Sequence, residues 1–292
     1  MTASGKSQIA FEVAKERGDT ALLSVDSMAV YRGMDIATAK ASQWQRDVVD
    51  HYLIDLLDPH EEATASWFQE QAWSVLDDLN TQGRHSVLVG GTGLYHRAVL
   101  DRLDIPKQYP SIRLDLEAQV EADLPRLYEQ LKQLDGLAAS RMEPSNARRI
   151  VRALEVCLGS GRPFSSFGPG LESYPPNDIV QLGIARPIEE IDEAIASRVA
   201  GWLDQGFADE IDALLARPDG LSRTAAQAIG YQPFMAWRRG ECSLEEATES
   251  TVGATKQFAR RQRSWFRRDP RIRWCESLEE LRDTLSTVLS GS

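Results

Sequence analysis

Gly5, Lys6 and Ser7 are residues whose types and spacing suit phosphate chemistry. They form the second half of the pattern Gly, four residues, Gly, Lys, then Ser or Thr, in which backbone N–H groups curl around phosphate oxygens. Thr2, Ala3, Ser4, Gly5, Lys6 and Ser7 are thus the candidate diphosphate-binding segment. Lys6 would neutralise phosphate charge, and the Ser7 hydroxyl would ligate Mg²⁺. The residues that follow, 8–14, place Ile9 and Val13 on one helical face, so a helix would point its positive end at the anion. The first Gly of the pattern and its preceding strand would fall before Met1, so the expectation is a start site recorded too late. The loop by itself suits ATP or any other diphosphate.

Two further groups converge on the same place. Residues 21–25 read as a buried strand ending at Asp26, and residues 86–89 as a second strand ending at Gly90-Gly91-Thr92. A helix over 63–79 lies between them. This alternation predicts an α/β fold: a phosphate-loop NTPase-like parallel sheet flanked by helices. Sites in such sheets lie beyond the carboxyl ends of the strands, which is where Asp26 and Thr92 fall. From 109 to 160 the chain is charged and helical, with Pro110, Pro125 and Pro144 as breaks, and reads as a helical insertion. Residues 1–108 and 161–292 read as the two parts of the core. Residues 162–178 read as a loop and 179–184 as a returning strand. Helices follow at 188–203, 207–216, 223–238 and 244–267, then a strand near 272–275 and a last helix.

The 292-residue chain carries a net charge of −11, which argues against a nucleic-acid partner, but the distribution argues the other way. Between 256 and 273 eight cations face Asp269 alone, and between 141 and 152 four arginines face Glu143. Local patches govern binding to a phosphate backbone; the competing reading is a solvated basic helix face. Cys157, Cys242 and Cys275 have no metal-ligand spacing, and no apolar run spans a bilayer, so a cytoplasmic chain is expected.

Several ordered motifs carry a resemblance. They are Asp-Ser-Met-Ala-Val-Tyr-Arg-Gly-Met-Asp-Ile-Ala-Thr-Ala-Lys at 26–40, His-Tyr-Leu-Ile-Asp at 51–55 and Val-Gly-Gly-Thr-Gly-Leu-Tyr at 89–95. Further on stand Arg-Arg-Ile-Val-Arg-Ala-Leu-Glu-Val at 148–156, Ile-Gly-Tyr-Gln at 229–232 and Ala-Arg-Arg-Gln-Arg-Ser-Trp-Phe-Arg at 259–267. Across essentially its whole length the chain resembles the tRNA dimethylallyltransferase family. The resemblance implies transfer of a dimethylallyl group from dimethylallyl diphosphate to the exocyclic amine of the adenosine 3′ of the anticodon. It implies a monomer that binds Mg²⁺ and the tRNA anticodon stem-loop. Asp26 becomes the candidate base, with a metal-side carboxylate as its alternative role. Thr92 becomes a candidate partner of the leaving pyrophosphate or the amine, with helix capping as its alternative. The implied tRNA contacts are Asp26, Ser27, Met28, Ala29, Arg113, Arg148, Arg149, Ile150, Val151, Arg152, Gly230, Tyr231, Arg260, Arg261, Gln262 and Arg267. Tyr95 reads as core; Tyr31 and Trp265 stay open between core and site.

Some positions depart from the pattern. Ile188 and Ala194 stand where the family pattern has arginines, and Gln227 where an arginine is common. The loss at 194 predicts a weakened pyrophosphate site. That motivates a second reading, a degenerate tRNA-binding paralogue without transfer. A third, a small-molecule phosphate-loop kinase or a prenyltransferase of free nucleotides, would leave the helical insertion and the 256–273 basic stretch without a purpose.

Overall fold

Strand β1 (Thr20–Val25) is flanked by β2 (His51–Tyr52) and β3 (His85–Gly90), all parallel, in the order β2-β1-β3. The computed structural model describes residues 1–168, 170–171 and 173–291. Ala21, Leu22, Leu23 and Val25 are all buried, as a continuous apolar run on a two-face-covered parallel strand should be. A second parallel pair, β4 (Gln181–Ile184) with β5 (Ile272–Cys275), forms its own sheet. The expected sheet is therefore present in two pieces. The strand expected from 179 begins at Gln181, because Ile179 and Val180 lie 42% and 55% exposed.

These strands belong to a unit made of Met1–Leu100 and Pro176–Ser292. Its helices include α1 (Lys6–Arg17), α2 (Gln43–Val48), α3 (Ala65–Thr81) and α4 (Gly93–Leu100). Later in the chain come α8 (Ile188–Ala200), α9 (Phe207–Leu215), α10 (Tyr231–Arg238), α11 (Leu244–Phe266) and α12 (Leu278–Ser290). Helix α8 buries Ile191, Ile195 and Val199, one per turn on a single face. Helix α11 starts in a capping box: Ser243 accepts from the Glu246 amide while the Glu246 side chain reaches back to Ser243 N–H. The core includes an aromatic cluster in which Phe207 lies edge-on to Trp202 and Phe234, each at 4.9 Å, and to Tyr231 at 5.4 Å. No helix among the described residues is long and apolar enough to cross a membrane.

The second unit spans Asp101–Pro175 and contains α5 (Pro110–Leu134), α6 (Gly136–Ser140) and α7 (Ala147–Ser160). It is wider than 109–160 because polar ties hold its flanks. Arg152 donates to the Pro106 and Lys107 carbonyls, and Asp135 accepts from the amide and hydroxyl of Ser165. Pro110 opens α5 and Pro125 kinks it at Asp123, whose carboxylate recaps the next turn by accepting from Arg126 N at 3.0 Å. Helix α7 packs Ile150, Val151, Leu154 and Cys157 against Leu116, Leu127 and Leu131. In the loop expected over 162–178, Pro169 and Glu172 lie outside the described residues, and 164–166 form a short 3₁₀ turn.

Three short elements, α2, β2 and α4, lie outside the sequence expectation, since two to eight residues give periodicity too little to act on. The helix expected over 223–238 is broken. A 3₁₀ turn covers Ala225–Gln227, and α10 begins only at Tyr231, after Gly230 at φ 97°. A Cβ on Gly230 would also stand 2.7 Å from the Trp202 ring. Gly230→Ala should therefore destabilise the fold by about 1–3 kcal/mol, read as a lower denaturation midpoint. An unchanged midpoint would contradict the packing described.

Candidate active site

The residues Thr2–Ser7 form a turn leading into α1. Ala3 (φ 55°) and Gly5 (φ 87°) adopt left-handed backbone, no side chain caps the helix, and Gly5 O accepts from the Gln8 and Ile9 amides. The amides of Lys6 and Ser7, in the first turn, have no intrahelical acceptor by helix geometry, so they suit an anion. Ser4 is buried and its hydroxyl donates to Met1 O at 2.8 Å. Gln262 of α11 anchors the turn. It accepts from Thr2 N at 2.6 Å and donates to Gly91 O at 2.9 Å. Gly91 is required there, because a Cβ would fall 2.0 Å from the Gln262 amide nitrogen.

Asp26 follows β1 directly and Thr92 stands two residues past the end of β3, so both lie at the carboxyl edge of one sheet. Asp26 Oδ1 accepts from Met28 N at 2.9 Å; its Oδ2 has no hydrogen-bond partner among the described residues. Thr92 Oγ1 accepts from Ser27 N at 3.1 Å, and Thr92 O accepts from His96 N as α4 begins. Thr92 thus ties Ser27 to the turn and starts a helix at once.

One turn after Ala194, the same helix carries a cation, Arg198. Arg198 donates from Nη2 to Thr2 Oγ1 at 3.0 Å, and its Nε is buried without a partner. Burial lowers the pKa of Arg198, opposed by the attraction of Asp26. The Lys6 ammonium is likewise packed in. Burial pulls its pKa below the usual 10.5, Asp26 draws it back up, and Arg198 repels it further down. Two cations therefore lean on one carboxylate, a charge deficit that an anion would fill. Arg198 was legible only as a charge beside the buried stripe of α8.

The residues expected at RNA divide into two sets. Arg148 and Arg149 in the second unit, and Arg261 and Arg267 in the first, are exposed, and none is held in an ion pair among the described residues. Arg260 is bound bidentately by Asp192. Arg113 and Arg152 flank the fully buried Glu155 at 3.7 and 2.8 Å. Ala29, Ile150, Val151, Tyr231 and Gln262 are buried and present no surface to a macromolecule. Tyr31 is also buried, with its hydroxyl 2.5 Å from Thr224 Oγ1, and Tyr95 packs on Phe68 at 4.4 Å.

His96 adds a group that the sequence did not single out. Burial pushes its pKa from 6.5 down to about 4, against the raising effect of its hydrogen bond to the Gly90 carbonyl. The unfolded chain would take up this proton first, so stability is full above pH 6.5 and falls as pH drops towards 4. The loss should reach about 3 kcal/mol at most. His96→Phe should flatten that part of a stability–pH curve; a curve of unchanged slope would show that His96 is not buried neutral.

The model of the IPP transferase family matches residues 29–269. The tRNA dimethylallyltransferase of Streptomyces coelicolor is 46% identical over 276 residues, covering 94% of this chain and 87% of that protein. The tRNA dimethylallyltransferase of Thermobifida fusca is 45% identical over 281 residues, covering 94% and 86%. The tRNA isopentenylpyrophosphate transferase structure from Bacillus halodurans superposes with a TM-score of 0.70 at 31% identity, covering 99% of this chain and 93% of that one. A eukaryotic dimethylallyltransferase acting on tRNA shares the fold at a TM-score of 0.79 and 23% identity, covering 99% and 75%. Matched by that family model over most of its length and 46% identical to such a relative, the chain belongs to the IPP transferase family.

Proposed function

We propose that this chain transfers a dimethylallyl group from dimethylallyl diphosphate to N6 of the adenosine 3′ of the anticodon in tRNA, releasing pyrophosphate. The observation that carries the reading is the Thr2–Ser7 turn at the start of α1, where Arg198 donates to Thr2 Oγ1 at 3.0 Å and Asp26 attracts both Lys6 and Arg198. The adenine amine attacks the allylic carbon as the carbon–oxygen bond to the diphosphate breaks. An aromatic amine is weakly basic, so its proton must leave during attack, and Asp26 Oδ2 is free to take it. Negative charge builds on the leaving pyrophosphate, where Lys6, Arg198 and the amides of Lys6 and Ser7 stabilise it. Thr92 and Ser27 hold the edge of the adenine site through their mutual hydrogen bond.

The donor set fits Mg²⁺. That ion keeps several waters and takes few protein ligands besides substrate phosphates. Ser7 offers a hydroxyl beside the loop, and the described residues hold no dense His, Cys, Asp and Glu cluster of the kind a transition metal would need. Bound through Ser7 and the diphosphate, Mg²⁺ would supply further charge neutralisation on the leaving group. We assign tRNA contacts within the first unit to the exposed Arg261 and Arg267, with the target base unstacked to reach Asp26, and within the second unit to the exposed Arg148 and Arg149. We place the reaction in the cytoplasm, on a monomer; Cys157, Cys242 and Cys275 are free thiols.

Mass spectrometry of anticodon-loop fragments, after incubation of tRNA with dimethylallyl diphosphate and Mg²⁺, tests the reading. One dimethylallyl mass gain on the adenosine 3′ of the anticodon is expected. Asp26→Asn should slow transfer by about 10²–10⁴-fold. Arg198→Met should cost roughly one to two decades, the worth of a charge-assisted contact. Binding of tRNA with no mass gain would favour the degenerate reading.

A further inference from the structure

Lys40 is a cation that the transfer chemistry does not use. Its side chain is 1% exposed. Its ammonium donates to three oxygens: the Tyr31 carbonyl, Asp35 Oδ1 at 2.6 Å and Asp55 Oδ1 at 2.6 Å. Asp55 is held in turn by Arg46, whose Nη1 donates to Oδ2 at 2.5 Å. Arg46 and Lys40 together keep the Asp55 carboxyl below the usual carboxylate range, against the opposing effect of burial. The ammonium therefore joins two stretches of chain, 31–40 and 46–55, that have no regular sheet pairing with each other.

Both stretches carry backbone in a conformation that L-residues avoid. Ala39 (φ 52°), Leu53 (φ 64°) and Asp55 (φ 54°) are left-handed without being glycine. Such residues persist where their surroundings over-determine them, and they cluster at functional sites. Here they lie next to Lys40 or on the segment of its partner Asp55. Backbone bonds hold two of them, Asp55 N to Ala29 O at 3.1 Å and Ala39 N to Ile36 O at 3.1 Å, and the buried ion pairs add side-chain anchors at Lys40 and Asp55.

A continuous path of bonds runs from this hub to the candidate base. Lys40 holds the carbonyl of Tyr31. The Tyr31 amide donates to Met28 O at 3.2 Å, and the Met28 amide donates to Asp26 Oδ1 at 2.9 Å. Tyr31 is further fixed because its hydroxyl accepts from Ala63 N at 3.2 Å. The far end of the loop is pinned by Glu210, whose Oε2 accepts from the amides of Asp35 and Ile36 at 2.9 and 3.1 Å. Each link is short and directional, so the orientation of the Asp26 carboxylate depends on where Lys40 places Tyr31.

We propose that Lys40 is a positioning residue for Asp26: its buried ammonium fixes the 27–40 loop so that the carboxylate meets the amine. This rests on the transfer reading above. A displacement of the base by about 1 Å costs on the order of 10²-fold in rate, so Lys40→Met should lower kcat by about that factor. KM for the diphosphate should hold, since Lys6 and Arg198 are untouched. Asp35→Asn removes the negative charge from one of the three acceptors, at an exposed residue. It should show the same effect more weakly, which covers the case in which Lys40→Met folds poorly.

A double-mutant cycle separates positioning from general support. If Lys40 acts through Asp26, then adding Lys40→Met (or Asp35→Asn) to Asp26→Asn should cost nothing further in kcat. An equal fractional loss in both backgrounds would overturn the proposal. Amide hydrogen exchange provides a readout that needs no transfer. In Lys40→Met the Met28 and Tyr31 amides should exchange faster while those of β1 keep their protection. Unchanged exchange at Met28 and Tyr31 would also overturn the proposal. If the unmodified protein transfers nothing, the transfer reading fails, and the exchange comparison alone decides the role of Lys40.

Discussion

Two packed-in cations, Lys6 and Arg198, share the field of one carboxylate, Asp26. Burying a cation is costly unless a partner compensates it, and a single carboxylate cannot satisfy both. In the proposed reading this deficit is what an anion would fill, and much of the surrounding structure keeps the three groups in place. The stripe Ile191, Ile195 and Val199 on α8 fixes the helix that delivers Arg198. Gln262 spans from Thr2 to Gly91, holding the phosphate turn against the end of β3. The buried β1 ends immediately before Asp26, so the carboxylate starts from a rigid element.

The same charge arrangement explains how a loop also suited to nucleotide triphosphates can serve a group transfer. Cations that attract the substrate's diphosphate also stabilise the charge that leaves with it, and they act more strongly in a site shielded from water. The proposed transfer would put a second demand on Asp26, to take a proton from a weakly basic amine, and that demand is geometric. Its Oδ1 is occupied by the Met28 amide, which leaves Oδ2 for chemistry. Thr92 supports the same edge by accepting from Ser27 N.

Much of this was legible in the sequence where one residue type has one physical use. Gly5-Lys6-Ser7 reads as half of a phosphate loop or as an ordinary N-terminal stretch, and the structure places it at the start of α1; Asp26 is found, as read, at the end of an apolar strand. The amphipathic stripes of α3, α8 and α11 are carried by their own spacing. What could not be read depends on contacts distant in sequence. Arg198 matters because α8 sets it against Thr2, 196 positions away. Gln262 is a structural brace, buried within a run of arginines that looks uniformly exposed. Tyr231 resembles an RNA-stacking aromatic, yet it lies in the core with its hydroxyl donating to Glu210 at 2.7 Å. The break at Gly230 is a matter of its positive φ and of Trp202, neither of which periodicity registers.

The charge deficit is tested most directly by the protons that accompany diphosphate binding. Calorimetric titration of dimethylallyl diphosphate into the protein, in two buffers of different ionisation enthalpy, reports that number. Lys6 begins with a pKa depressed by burial and should regain its proton when the anion arrives. Net proton uptake at pH values below 10.5 is the expected result, because the anion restores the proton that burial disfavours. Tight binding with no linked proton uptake across that range would contradict the account, because it would mean that Lys6 carries its full charge before the substrate comes.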